Sequence, residues 1–335
     1  MVDREPGGRE AEGLIKLKRV WKPLAWLVAL GLLGYALLQI PLEDIWEVLQ
    51  NLSFIQIFIL ILVNSAIILL FGGRWWLILH AQGYTLPYFS LARYRLTAFA
   101  VSYFTPGPHF GGEPMQVYSV QKNHNVPGTV ALAALSLDKI LELIANFSFL
   151  VFGVASVLLL GTFKGLVSAP GLPIVLGLLA IPVLYMAALF TERYPLSNLA
   201  KRLTAKGKWG TIAEAVSGSE QLMARFCREQ PGVMAVAFGL SGFVWVLLLL
   251  EYWLALSFLG LSLGFWEIIA VMTAARVALL TPLPGAIGAL EYGQVLAMQA
   301  LNYDPALGLS IGLIIRARDV GFGLLGLWLG GWIKR

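Results

Sequence analysis

Six stretches of this chain are long and apolar enough to cross a bilayer: Leu24–Ile40, Phe54–Phe71, Thr129–Leu160, Leu172–Phe190, Val233–Leu261 and Ala306–Ile333. Each can span about 30 Å of hydrocarbon once tilt and interfacial ends are allowed for. A soluble domain of 335 residues could not hide so many such runs behind short polar connections, and only 13% of the residues are charged. The chain is therefore expected to be an all-α polytopic membrane protein, with residues 1–20 as a polar cytosolic segment and residues 21–335 as one transmembrane domain. Leu24–Ile40 reads as a retained signal anchor, because a long polar segment precedes it and no small-x-small cleavage site follows.

Two further apolar regions, Tyr88–Gln121 and Trp266–Leu301, are broken in the middle by Pro and Gly. They belong to an internal repeat. Trp76-Leu77-x-Leu79-x-x-x-Gly83-x-x-Leu86-x-x-Phe89 matches Trp253-Leu254-x-Leu256-x-x-x-Gly260-x-x-Leu263-x-x-Trp266 without a gap. Further on, Thr105-Pro106-Gly107-Pro108, ending in Gly111-Gly112-Glu113, is echoed by Thr281-Pro282-Leu283-Pro284-Gly285, ending in Gly288-Ala289-Leu290-Glu291. A basic residue precedes each (Arg95, Arg276) and a mixed charge cluster follows each (Asp138-Lys139, Arg318-Asp319). These matches divide the domain into a first repeat, 21–165, and a second, 170–335.

Lys and Arg concentrate before Lys22 and in the connection 191–231, whereas Pro41–Ser53 carries Glu43, Asp44 and Glu47 with no Lys or Arg. By the positive-inside rule the basic segments are cytoplasmic. That assignment works if each broken region enters and leaves on the same side. The expected architecture is thus about six spanning helices plus two re-entrant helical hairpins in two inverted halves, with both termini in the cytoplasm.

A backbone broken by Pro and Gly at membrane depth must be buried in protein or line an aqueous cavity, since unpaired N–H and C=O groups cost several kcal/mol in hydrocarbon. Pro106, Pro108, Gly111, Gly112 and Glu113, with Pro282, Pro284, Gly285, Gly288 and Glu291, are accordingly candidates for a headgroup cavity. Half-helices starting near Glu113 and near Gly288–Glu291 would present N–H groups to an anion. The bland alternative is a pair of tight turns with a packing role. Asp138, Glu142 and Asp319 need cations beside them, and Lys139, Arg316 and Arg318 are at hand; these six are candidate intramembrane ion pairs. Arg95 and Arg276 are the candidate headgroup ligands, because a guanidinium binds phosphate bidentately. His109 is read as a loop residue rather than a proton relay.

Other chemistries lack residues to stand on. One cysteine, Cys227, excludes an intramolecular disulfide and any cysteine-rich metal cage. No Walker loop, nucleophile elbow, HExxH helix or zinc spacing is present, so no cofactor, no metal and no classical hydrolase or ATPase activity is expected. The net charge of +5 reports topology and anionic lipid rather than a nucleic-acid partner.

Phe104–Pro114, Leu137–Leu141 and Pro282–Glu291 together resemble the transmembrane, flippase-like domain of lysylphosphatidylglycerol synthases, over about Trp21 to Ile333. The resemblance implies a bacterial or archaeal cytoplasmic-membrane protein that moves a phospholipid or related amphiphile between leaflets. The matching positions are Gly111, Gly112, Glu113 and Pro114, then Pro284, Gly285, Gly288 and Glu291. Lys139 stands where the family commonly has Arg, and Ala286 where a second Gly is common. The soluble aminoacyl-transfer domain of the full-length synthases is not in the sequence, so lysyl transfer by this chain is not expected. Two rival readings stay open: an accessory subunit for a separate lipid-synthesis enzyme, docked through the connection 191–231, and a membrane-embedded transferase using Glu113 or Glu291 as general base.

Overall fold

The computed structural model describes residues 41–105, 111–161, 171–204, 210–281 and 283–331. They form α1 (Leu42–Gln50), α2 (Phe54–Ala81), α3 (Tyr88–Phe104), α4 (Glu113–His124), α5 (Gly128–Leu160), α6 (Gly171–Phe190), α7 (Pro195–Thr204), α8 (Gly210–Glu229), α9 (Pro231–Phe258), α10 (Phe265–Ala278), a 3-10 turn (Pro284–Ala286), α11 (Ala289–Ala300) and α12 (Pro305–Gly331). No strand occurs among the described residues. The anchor Leu24–Ile40 and the residues Pro106, Pro108, His109 and Pro282 lie outside them.

Local chemistry sets several helix starts. Ser53 opens α2 with a capping box: its Oγ accepts from the Gln56 N–H, and Gln56 accepts from the Ser53 N–H at 2.8 Å. Proline stands at the first position of α9 and α12, where a missing N–H costs nothing.

Four helices, α2, α5, α6 and α9, are long and apolar enough to cross a membrane. The run Ala306–Ile333 corresponds to α12, 27 residues and about 40 Å long. It carries Arg316, Arg318 and Asp319 in its middle, so it has the length of a span without the uniform apolarity. Large apolar side chains cover the outside: Phe54, Ile55 and Phe58 of α2, Ile174, Ile181 and Leu184 of α6, Val236, Phe238 and Val246 of α9, and Trp328 of α12 are all more than two-fifths exposed. An apolar surface that continuous is covered only by lipid. The protein is an all-α integral membrane protein.

The repeat governs the whole bundle. Phe54 to Pro231, Tyr88 to Phe265 and Gly128 to Pro305 are each 177 residues apart, and Glu113 to Ala289 is 176, so the series α2–α3–α4–α5 recurs as α9–α10–α11–α12. The copies are inverted. Asn64 of α2 reaches Glu251 of α9, while Arg74, further along α2, reaches Ser241, earlier on α9, so the two helices run antiparallel. The same shift of 177 takes Asn64 to Ser241 and Arg74 to Glu251, which makes the two contacts partners under an approximate two-fold axis.

Two apolar clusters define the ends of the bundle. Trp75, Leu79, Leu86, Val126, Leu189, Met223 and Met234 gather at one end; Leu52, Leu60, Val157, Leu256, Leu263 and Met298 gather at the other. Both feet of the α3–α4 hairpin, Leu86 and Val126, belong to the first end. Both feet of the α10–α11 hairpin, Leu263 and Leu301, pack at the second. The hairpins therefore enter from opposite ends and meet in the interior, where Tyr103 of α3 lies against Gly285 beyond α10. Each also leans on the other half: α3 packs on α12 and α10 on α5. Small residues allow this in equivalent places, Gly330 beside Thr97 and Gly153 beside Thr273.

The connection 191–231 is mostly helical. α8 lies on the first end of the bundle, where the Ser219 hydroxyl donates to the Thr129 carbonyl and Glu220 accepts from the Tyr185 hydroxyl and the Ser197 N–H. Lys122, Arg193, Lys201, Arg202, Arg225 and Arg228 lie at that end; Glu43, Asp44, Glu47, Glu267 and Asp304 lie at the other, without Lys or Arg among the described residues.

Candidate functional site

Where the two hairpins meet, the halves enclose a cavity of about 640 Å³ lined from α2, α3, α4, α5, α6, α9, α10 and α12. Its polar wall includes Arg74, Arg95, Glu113, Lys139, Glu142, Arg276, Arg318 and Asp319, and its apolar wall includes Phe71, Phe99, Trp245 and Leu248. Five of the wall's side chains are cationic and would be intolerably costly in hydrocarbon unless paired or wet.

Most are paired. Asp138 and Glu142 are one turn apart on α5, so both point to the same face. Asp138 is fully buried and takes Arg74 Nε at 2.6 Å, together with an Arg95 amino group. Glu142 takes the other Arg95 amino group, Arg74 at 3.4 Å and Lys139 at 3.2 Å. Lys139 also reaches Glu113, at the start of α4, at 3.4 Å. On the opposite wall Arg318 donates to Glu251 and, at 2.8 Å, to Asp319, while Asn64 donates to the same Glu251 oxygen at 3.0 Å.

Arg316 is wholly buried and clamps the second hairpin. It holds Glu291 bidentately at 2.7 and 2.8 Å, and donates to the Gly285 carbonyl at 2.6 Å and the Tyr103 hydroxyl at 3.1 Å. The shift of 177 takes Lys139 to Arg316 and Glu142 to Asp319, and Glu113 to Leu290, one residue before Glu291, so Lys139–Glu113 and Arg316–Glu291 are approximate counterparts. The charge clusters that the sequence aligned as Asp138-Lys139 with Arg318-Asp319 are thus out of register by three residues.

Arg276 differs from these. Its guanidinium lies over the Trp245 ring, 4.8 Å from the centroid, and Trp245 in turn stacks on Phe149 at 4.3 Å. Its Nε is buried without a hydrogen-bond partner, and among the described residues no ion pair engages it. The Gln116 Oε1 in the same wall also lacks a partner. Arg95, the other proposed headgroup ligand, has both amino groups committed to carboxylates.

The Pro/Gly elements do what their residue types demand. Gly285 and Gly288 adopt φ of 53° and 78°, which L side chains disfavour. Gly112 is packed so closely on α3 that a Cβ would stand 2.1 Å from the Ala98 carbonyl oxygen. α4 starts at Glu113 and α11 at Ala289, as the half-helix reading requires. The N–H groups expected to face an anion are partly claimed from within: the Gly111 N–H donates to Glu113 at 2.7 Å and the Gly288 N–H to Glu291 at 3.0 Å.

Arg74 and Glu251 are central to these networks, and the sequence reading passed over both. Extending the Trp76/Trp253 repeat two residues backwards would have aligned Arg74 with Glu251 and placed each in an apolar run. Cys227 is buried in α8, where loss of hydration pushes its thiol up to about 11 and leaves it a poor nucleophile.

No solved structure matches this chain. A UPF0104 membrane protein from Methanocaldococcus jannaschii is 22% identical over 305 residues, covering 88% of each chain. The family model of the lysylphosphatidylglycerol synthase TM region matches residues 24–326. An all-helical bundle with a polar cavity, matched over nearly its full length, belongs to the lysylphosphatidylglycerol synthase transmembrane family.

Proposed function

We propose that this protein moves a phospholipid between leaflets, holding the anionic part of the headgroup in the central cavity while the acyl chains remain in lipid. The observation that carries this reading is Arg276, a cation in the wall of a cavity of about 640 Å³ whose Nε has no hydrogen-bond partner and which no ion pair engages among the described residues. That volume falls within the range of small-molecule sites. A phosphate oxygen at Arg276 would supply the missing acceptor, Trp245 would flank it, and the unpartnered Gln116 Oε1 would accept from a headgroup hydroxyl or ammonium. Two inverted halves around one site suit alternating access by rocking of one half against the other. The positive-inside rule puts the end bearing α8 in the cytoplasm.

The general-base role for Glu291 has little room, since both its oxygens are engaged by Arg316. The accessory-subunit reading draws on one observation, the docked α8, whose exposed Arg225 and Arg228 pair with Glu229 and Glu192 at the surface.

Lipid retention tests the site. Native mass spectrometry of the detergent-purified protein is expected to show a bound phospholipid whose occupancy falls about tenfold or more in Arg276→Gln, the loss of one charge-assisted hydrogen bond. Arg225→Gln, on the exposed face of α8, should change nothing. Equal occupancy in wild type and Arg276→Gln would remove the headgroup site from the cavity.

A further inference from the structure

A second hollow, of about 580 Å³, runs along the outside of the bundle between α4 and α5. Its walls are mainly apolar, with Pro114, Val117, Leu132 and Leu135, and also hold Ser136, Gln121 and Tyr118, the last 57% exposed. It shares two residues with the central cavity, Glu113 and Lys139, which line both. Those two form the 3.4 Å ion pair, so the pair stands in the wall shared by the polar interior chamber and the trough.

From this continuity we infer that the α4–α5 trough is the seat of an acyl chain of the lipid whose headgroup occupies the cavity, and that the Glu113–Lys139 pair is the door between the two. The inference rests on the transport reading above. The chemistry of the walls selects the occupant: apolar side chains along α4 and α5, over a helix of 12 residues or about 18 Å, then a charged pair at the mouth and a free guanidinium beyond it. An amphiphile with an anionic head and a hydrocarbon tail matches that order, and a soluble metabolite does not.

The door is built to move. Both partners are about one-fifth exposed and meet in one contact at 3.4 Å, and Lys139 keeps a second carboxylate, Glu142 at 3.2 Å, when Glu113 moves away. Its counterpart in the other half, Arg316–Glu291, is sealed: Arg316 has no exposed surface and holds two further acceptors, Gly285 and Tyr103. The structure is therefore asymmetric about its own two-fold relation, with the door of the first half able to open and that of the second locked. A headgroup phosphate arriving at Lys139 would compete with Glu113 for the ammonium and part the pair as it entered.

The test uses the whole protein in liposomes with a phosphatidylglycerol carrying a diazirine on one acyl chain, followed by mapping of the photo-adducts. Adducts are expected at least fivefold enriched on Val117, Leu132 and Ser136 over Ile181 and Leu184, which face lipid on α6. Ser136→Trp, and separately Val117→Phe, should fill the trough and abolish the enrichment. Lys139→Met should let adducts extend inward to Phe147 and Leu248. Adducts spread evenly over the apolar faces, or enrichment unaffected by both fillings, would overturn the trough while leaving the cavity reading intact. Trough adducts on a protein that retains no lipid through Arg276 would instead count against the cavity reading.

Discussion

Among single side chains, Arg276 and Asp138 show how differently one bundle treats its charges. Asp138 has no exposed surface and two guanidinium partners, so its role is to let Arg74 and Arg95 live inside the bundle. Removing one member of a buried pair leaves an uncompensated charge and costs about 3–5 kcal/mol. Asp138→Asn is therefore expected to lower the unfolding free energy by that amount in a denaturant titration of the micellar protein. A change below about 1 kcal/mol, the scale of an exposed pair, would show that water already solvates the cluster. Arg276→Gln removes a charge that is unpaired at the outset, and it should leave stability unchanged or raised. The sequence identified Arg95 and Arg276 on equal terms as headgroup ligands. Which of them is committed to carboxylates depends on the rotation of α3 and α10 against α5, and no pattern along the chain encodes that. Arg74 and Glu251 were legible in principle, as charges within apolar runs in equivalent positions of the repeat.

At the scale of elements, the two hairpins and their glycines determine where the cavity lies. The Pro/Gly motifs, the half-helix starts at Glu113 and Ala289 and the apolar lengths of α5, α6 and α9 follow from sequence pattern, because lipid forces helical backbone wherever hydrocarbon surrounds it. A helix around Ala213–Arg228, most of α8, was legible in the sequence; the helix α7 and the docking of α8 on α5 were not, because they depend on contacts such as Ser219 to Thr129 and Glu220 to Ser197 between distant parts of the chain. Gly112 is the tightest point of the first hairpin. Gly112→Ala would drive a methyl group into the Ala98 backbone and should cost about 1–3 kcal/mol by overpacking. Gly239→Ala, on α9 where a Cβ meets nothing, is the matched control and should be neutral or slightly stabilising. Equal effects of the two in thermal denaturation would mean that the start of α4 does not pack on α3 as described.

For the whole molecule, inversion links the structure to the proposed transport. A helix series repeated at a shift of 177 residues, with α2 and α9 antiparallel and one hairpin entering from each end, gives two halves that are chemically alike and oppositely oriented. On the proposed transport reading, the looser pair Glu113–Lys139 and the buried pair Glu291–Arg316 would be the two doors in one state. Exchange of their roles would open the equivalent trough between α11 and α12 and carry the headgroup across. The measurement that addresses this most directly is the transbilayer movement of fluorescent phospholipids in liposomes containing the purified chain. Wild type is expected to move anionic-headgroup lipids faster than protein-free liposomes do, and Arg276→Gln to lose about tenfold or more of that rate. Wild-type protein that moves no lipid above the protein-free background, whatever the headgroup, would contradict the account.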